Sequence, residues 1–326
     1  MSPRSEVART NVGRAVALLQ EGRLVAFPTE TVYGLGADAT NPEALARLYA
    51  VKGRPSDHPV IVHLSAQASL DDWAQLISQS ARDLAAAFWP GPLTLVLHAD
   101  PRVSRLATGG LDTVGLRVPS HPLARDLLDG FGGGIAAPSA NRFGRVSPTT
   151  AAAVRADLGH DVDLVLDGGV CAVGVESTIV DCTDRAARIL RPGAVTIDEI
   201  TEVLGAPPLI GGSTRAPGTL ASHYAPTATV ELATRSELPA RAHGLVAQGR
   251  TVGVIARQMD IDQAEMPSEA VTLATIATVE EFAHGLYAAL RNADRVGVDV
   301  VLAVAPPAVG IGAAVADRLG RAAGGR

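Results

Sequence analysis

The sequence predicts an α/β protein in two parts, and three observations predict it. Short apolar runs alternate with helix-period segments over residues 11–204. From Ala206 the composition turns to glycine, proline and serine, and residues 211–226 lack periodicity. A second, shorter strand–helix alternation then follows, as in a small and largely parallel sheet. The expected division is a catalytic domain over 1–205, a linker or lid over 206–228, and an α/β domain over 229–326. A chain of 326 residues with 47% hydrophobic and 19% charged residues has material for two cores.

In the first part, Val12, Ala15, Leu18 and Leu19 stand at helical spacing, so residues 11–22 read as an amphipathic helix ended by Gly22. Residues 24–27 form a short buried strand. They run into a loop over 28–36 that sets two threonines, a glutamate and a tyrosine between a proline and two glycines. A helix over 42–51 delivers Lys52 at its end. The strand over 60–64 puts Ile61 and His63 on one face. A helix over 81–88 stops at Trp89-Pro-Gly-Pro92 and is followed by a strand over 93–97.

Residues 113–118 alternate, with Val114, Leu116 and Val118 on one face and Thr113, Gly115 and Arg117 on the other. Arg117 therefore either lines a cavity or faces solvent on an antiparallel strand. A helix over 122–128 precedes a strand over 134–137 and the loop over 138–144. Ser147 is the expected N-cap of a helix over 149–158, with Pro148 at its first position. Strands over 164–166, 178–181 and 188–191, the loop over 168–177 and a helix over 197–204 complete this part. The second part holds strands over 230–232, 252–256 and 300–304 and helices over 242–248, 280–289 and 312–323.

Several classes of function are excluded or disfavoured. A net charge of −6 argues against a protein that coats nucleic acid. Two cysteines are too few for a disulfide framework, and no metal-ligand spacing surrounds them. No run approaches a membrane span, no apolar signal core opens the chain, and a soluble cytoplasmic protein is the simplest fit. There is no phosphate loop of the G-x-x-x-x-G-K-[ST] type, and Tyr33-Gly-Leu-Gly36 is too short for a dinucleotide fingerprint.

What remains is a set of groups on loops and strand ends, where an α/β sheet holds its ligands. Lys52 is the chain's one lysine, and Arg54, His58 and His63 follow it on a stretch stiffened by Pro55 and Pro59. With Arg117 and Arg191 they supply cations, and Thr31, Ser139, Asn141 and Ser177 supply small hydrogen-bonding partners. A ligand with several negative charges suits this set. Each residue also has a plainer reading. His63 fits a structural core histidine, Asn141 a turn after Pro138, Ser177 local backbone, and Arg191 a strand end.

Taken together, the motifs carry a resemblance. Phe27-Pro-Thr-Glu-Thr-Val-Tyr-Gly-Leu-Gly36, Lys52-Gly-Arg-Pro55 with His58-Pro59 and His63, Pro138-Ser-Ala-Asn141, Glu176-Ser-Thr178 and Leu190-Arg-Pro-Gly193 resemble the YrdC-like family. Ala216-Pro-Gly and His223-Tyr-Ala-Pro226, with the added α/β domain, are similar to its long two-domain form, the L-threonylcarbamoyladenylate synthases. Many relatives have a further tyrosine before the linker His-Tyr-Ala-Pro, where this chain has Leu220-Ala-Ser222.

The resemblance implies a twisted, open mixed sheet with helices for the first domain. It implies a nucleotidyltransferase that turns L-threonine, bicarbonate and ATP into threonylcarbamoyl-AMP and pyrophosphate. The product then passes to the machinery that transfers the threonylcarbamoyl group to tRNA. Lys52 and Arg54 would be catalytic. Thr31, His63, Arg117, Ala137 and Ser177 would hold threonine. Lys52, Arg54, His58, Thr113, Ser139, Asn141, Ser147, Arg191, His223 and Tyr224 would hold the nucleotide, with Mg2+ carried on its phosphates rather than in a protein cage. No membrane and no stable direct nucleic-acid binding are expected. An RNA-binding module of the same family is the competing reading, with Arg142 and Arg145 as phosphate contacts. A serine hydrolase on Ser139 is disfavoured because Pro-Ser-Ala-Asn is not a nucleophile elbow.

Overall fold

Local signals start and stop most of the elements of the first half. The computed structural model describes residues 3–212, 214–218, 224–262 and 265–324, and side chains from residue 10 onward. Helix α1 (Pro3–Gln20) buries Val12, Ala15 and Leu19. Strand β1 (Val25–Phe27) follows. It pairs antiparallel with β2 (Gly34–Asp38), which lies partly within the segment expected to be a loop. Helix α2 (Pro42–Lys52) starts where the Asn41 side chain accepts from the backbone N–H groups of Glu43 and Ala44, and it ends at Gly53 in the left-handed region.

Next come β3 (Ile61–His63), β4 (Ala74–Gln75), α3 (Gln79–Phe88) capped by Ser78, β5 (Leu93–Ala99) and β6 (Thr113–Arg117). Helix α4 (Pro122–Phe131) buries Ala124, Leu127 and Leu128 in the same cluster as the α1 stripe. Strand β7 (Ile135–Ala136) leads to α5 (Ala151–Leu158). Thr150 caps that helix by accepting from Ala153 N, so the expected cap at Ser147 is incorrect. The helix begins three residues beyond Pro148, and Ser147 is fully buried instead. Strands β8 (Leu164–Val165), β9 (Thr178–Asp181) and β10 (Arg188–Arg191) precede α6 (Ile197–Leu204), opened by a Thr196–Glu199 capping box. Strand β11 (Leu209–Ile210) then pairs parallel with β10, inside the stretch expected to be a linker.

These strands form one mixed sheet of 11 strands in the order β11-β10-β9-β5-β6-β3-β7-β2-β1-β8, with β4 on β5. Within it β3 pairs parallel with β6, aligning His63 with Arg117, and β5 pairs parallel with β9. Helices cover the sheet and bury its apolar side chains.

The second half is a smaller α/β unit: β12 (Thr229–Leu232), α7 (Leu238–Ala247), β13 (Val252–Ile255), α8 (Gln258–Ile261), β14 (Val271–Thr272), α9 (Val279–Val296), β15 (Val300–Ala303) and α10 (Gly312–Ala323). Its four strands are all parallel, in the order β12-β15-β13-β14. Helix α9 is longer than its expected range because Thr278 and Glu281 form a capping box and Gly297 stops it. By contacts the chain forms two compact units. One comprises Met1–Phe143, Pro148–Ala172 and Glu176–Thr219. The other comprises Gly144–Ser147, Val173–Val175 and Leu220–Arg326.

Candidate active site

Three clusters of the first unit gather most of the residues singled out in the sequence. The first forms at the end of α2. Lys52 is buried, and its Nζ donates to the carbonyls of Ser139 and Asn141, both at 2.5 Å. An ammonium has three donors, so one N–H remains among the described contacts. Phe143 N donates to Lys52 O at 2.8 Å, which ties the 138–143 loop to the helix end. Arg54 donates from Nη2 to Pro59 O at 2.8 Å and lies over the Phe143 ring, 5.4 Å from its centroid. His58 meets the same ring edge-on at 5.6 Å. Burial, and then the Arg54 charge, hold the Lys52 ammonium well below its ordinary pKa. Burial and Arg54 likewise lower His58.

The second cluster centres on Arg117, which is 3% exposed and so is not on a solvated strand. Its guanidinium donates from Nη2 to Glu30 Oε1 at 2.7 Å, from Nη1 to Thr31 Oγ1 at 2.9 Å and from Nε to Gly91 O at 3.2 Å. Of five N–H groups, two remain without a partner among the described residues. Glu30 Oε2 also accepts from Ser120 N at 3.1 Å. Burial pushes the Glu30 carboxyl up, but the Arg117 charge and these hydrogen bonds outweigh it and hold its pKa below the ordinary value. His63 sits beside Arg117 in the sheet, 3% exposed, with Phe27 edge-on at 5.9 Å. Its Nδ1 has no partner among the described residues. Burial and the Arg117 charge push its pKa down to about 3, so its imidazole is neutral at ordinary pH. Ala137 lies alongside, its N–H bonded to Ile61 O at 2.9 Å.

The third cluster links Ser177 to the start of the linker. Ser177 Oγ is 2.8 Å from Thr94 Oγ1, and Arg191 Nη2 donates to Ser177 O at 2.8 Å and to Ser177 Oγ at 3.1 Å. Arg191 Nη1 donates to Pro217 O at 2.8 Å, so Arg191 is no surface strand end. Nearby, Thr214 Oγ1 donates to Asp181 Oδ2 at 2.6 Å and Arg215 Nη1 to Asp57 O at 3.1 Å. Ala216 is buried with Val96 and Ile179. Residues 211–212 and 214–218 are thus packed on the first unit rather than spanning open space.

The remaining residues stand apart. Thr113 is half-buried on β6, facing His98 of β5. Ser147 belongs to the second unit. Tyr224, expected at the nucleotide, is only 1% exposed. Its ring stacks on Tyr287 at 5.7 Å, and Arg318 lies 5.3 Å from its centroid. A ring enclosed in this way packs within the second unit. His223 lies outside the described residues. Sequence reasoning passed over Glu30, Gly91 and Phe143. An acid between two threonines was the available sign for Glu30.

Chemically, these clusters offer buried positive charge and N–H donors that can neutralise an anion. Both cysteines are buried, and burial pushes each thiol up to about 12, so neither is a thiolate nucleophile. Among the described residues no group of three or more His, Cys, Asp or Glu is arranged to hold a metal ion. The buried carboxylate of Glu30 is engaged by Arg117.

Comparison with known proteins covers both halves of the chain. The Sua5/YciO/YrdC family, described as "Telomere recombination", matches residues 17–193. The family described as "Threonylcarbamoyl-AMP synthase, C-terminal domain" matches residues 195–324. A protein of Pyrococcus abyssi named threonylcarbamoyl-AMP synthase is 41% identical over 99% of this chain and 97% of its own length. One of Bacillus subtilis with the same name is 42% identical over 97% and 93%. The crystal structure of P. abyssi Sua5 complexed with L-threonine superposes with a TM-score of 0.89 at 41% identity, covering 97% of this chain and 95% of that one.

Proposed function

The chain belongs to the Sua5/YrdC family of threonylcarbamoyl-AMP synthases, and from that premise we infer that it joins a threonine-derived carbamate to the α-phosphate of ATP. Its activity is that of a threonylcarbamoyl-AMP synthase, a nucleotidyl transfer in tRNA modification, and it binds threonine. The observation that carries this is similarity above 40% along nearly the whole length of both domains.

In our reading, the threonine amine and bicarbonate form a carbamate with loss of water. A carbamate oxygen attacks the α-phosphorus, the bond to the bridging oxygen breaks, and pyrophosphate leaves with that electron pair. The nucleophile belongs to the substrate, so the protein's task is to bring anions together and neutralise them. Arg117 offers its two remaining N–H groups to the threonine carboxylate, with Thr31, His63, Ala137 and Ser177 around it. The Glu30 partner keeps that cation oriented and tempers its charge. Lys52 and Arg54 are the groups we assign to catalysis, at the phosphates, with His58, Thr113, Ser139, Asn141, Ser147, Arg191, His223 and Tyr224 completing the nucleotide set. Mg2+ enters as part of the Mg–ATP substrate.

The functional division we propose keeps 1–205 as the catalytic domain, 206–228 as a lid and 229–326 as the accessory domain. We place the protein in the cytoplasm, where it passes its product to the tRNA-modifying transferase without stable nucleic-acid binding of its own. No helix among the described residues is long and apolar enough to cross a membrane. The test is pyrophosphate release from ATP. It is expected only when threonine and bicarbonate are both present, and release independent of threonine contradicts the assignment.

A further inference from the structure

The second unit contains two short segments from the N-terminal half, Gly144–Ser147 and Val173–Val175. Each is covalently next to a motif of the proposed site. The first follows Asn141 by three residues, and the second ends immediately before Glu176-Ser177. One stripe of α9 meets both. Ala283, Tyr287 and Arg291 recur at intervals of four, on one face of the helix. Arg291 Nη2 donates to Val146 O. Ala225 N donates to Gly144 O at 3.1 Å, and Arg145 Nη1 to Thr227 Oγ1 at 3.2 Å, which secures the same segment from its other side. At the second segment, Gly174 has φ +85. A Cβ built there would lie 2.6 Å from Ala283 O and from His284 Cα and O. Those are backbone atoms of a helix and cannot yield, so only glycine permits this approach. Between the two contacts, Tyr287 stacks on Tyr224.

We propose that α9 positions both ligand-binding loops, with Arg291 setting the segment next to the nucleotide loop and Gly174 the segment next to the threonine loop. The inference rests on the assignment of Asn141 and Ser147 to ATP and of Ser177 to threonine. It gives the accessory domain a role in the reaction: it fixes where the two loops begin. Arg291 and Gly174 are positioning residues, acting through the chain on groups that touch substrate.

The test is calorimetric titration of the full-length protein with threonine and with a non-hydrolysable ATP analogue, on Arg291→Ala, Arg291→Lys and Gly174→Ala. Arg291→Ala is expected to weaken the ATP analogue about tenfold and leave threonine within about twofold. Arg291→Lys, which keeps one donor for Val146 O, recovers most of that loss. Gly174→Ala gives the opposite split, weakening threonine about tenfold and sparing the nucleotide. A merely structural role loosens the unit and weakens both ligands alike. Equal losses, or no loss in either Arg291→Ala or Gly174→Ala, overturn the proposal. Should Gly174→Ala fail to fold, the two Arg291 variants decide alone. An unmodified protein that binds both ligands yet releases no pyrophosphate contradicts the assigned reaction without touching this inference, whereas one that binds neither overturns both.

Discussion

Replacing Arg117 with alanine probes recognition and folding together, because Arg117 holds Glu30 within the fold and is the residue proposed to grip threonine. Its guanidinium is buried against Glu30, which is itself only 7% exposed. Arg117→Ala leaves that carboxylate buried without its cation, and breaking such a pair costs about 3–5 kcal/mol of stability. Losing the charge-assisted grip on the threonine carboxylate costs about 2–5 kcal/mol, or roughly two to three decades in affinity. The double variant Arg117→Ala/Glu30→Gln disentangles the two effects. It removes the stranded charge while keeping an acceptor for Ser120 N, so most of the stability returns. Threonine affinity does not.

The pH dependence has a definite sign. In the unmodified protein Glu30 lies below its ordinary 4.5, so its stabilising share is present above that pH and is lost as pH falls through the lowered value. In Arg117→Ala the opposing charge and side-chain hydrogen bond are lost, and burial, the largest influence, is resisted only by the backbone N–H groups of Glu30 and Ser120, so the carboxyl is expected to move up past its ordinary 4.5. The folded state then binds more protons than the unfolded one, and the stability of the variant falls as pH rises from that value. The assays are denaturant midpoints across pH and calorimetric titration with threonine and an ATP analogue. A double variant that regains both stability and threonine binding, or loses both ligands equally, refutes the assignment of Arg117 to the amino acid.

Three further outcomes follow from the same geometry. Lys52→Ala should abolish threonylcarbamoyl-AMP formation and, because the Ser139 and Asn141 carbonyls lose their donor, cost about 1–3 kcal/mol of stability. Lys52→Arg should recover little activity, since a planar fork cannot replace a compact ammonium between two carbonyls, and near-normal turnover in either variant removes Lys52 from the phosphate site. His63 titrates near 6.5 when unfolded and at about 3 when folded, so between those values the unfolded state binds more protons and stability drops as pH falls. His63→Gln should flatten that decline in denaturant midpoints, and an unchanged slope contradicts the buried neutral imidazole. Tryptic cleavage after Arg215, which is bonded to Asp57, should accelerate in Asp57→Ala and slow when ATP and threonine are bound. Cleavage at one rate in all these states makes residues 211–218 a passive tether.

Much of the fold was legible because its punctuation is local. Asn41 before Pro42, Thr196 before Glu199 and the glycines after helices mark boundaries that hold in three dimensions. Strand β2 escaped because Gly34 and Gly36 read as turn residues. Gly36 is glycine for a packing reason: a Cβ there would lie 2.9 Å from Ile135 Cγ2 and from the Phe27 ring, contacts that no local pattern announces. Ser147, a serine before a proline, imitates a cap, while Thr150, three residues on, makes the bond.

In the site, the cations were visible as residue types but their partners were not. Arg117 was expected from alternation, yet the acid that holds it comes from 87 positions earlier in the chain. Tyr224 carried an aromatic ring at the right place in a motif, and long-range packing turned that ring inward against Tyr287.

The most direct measurement follows the carbon of bicarbonate. The protein is incubated with ATP, L-threonine and 13C-bicarbonate, and the adenylate product is identified by mass spectrometry. The carbamate route predicts threonylcarbamoyl-AMP carrying the label in its carbamoyl carbon, formed in step with pyrophosphate. An unlabelled threonyl adenylate, in which the amino acid's own carboxylate has attacked the phosphate, contradicts the account.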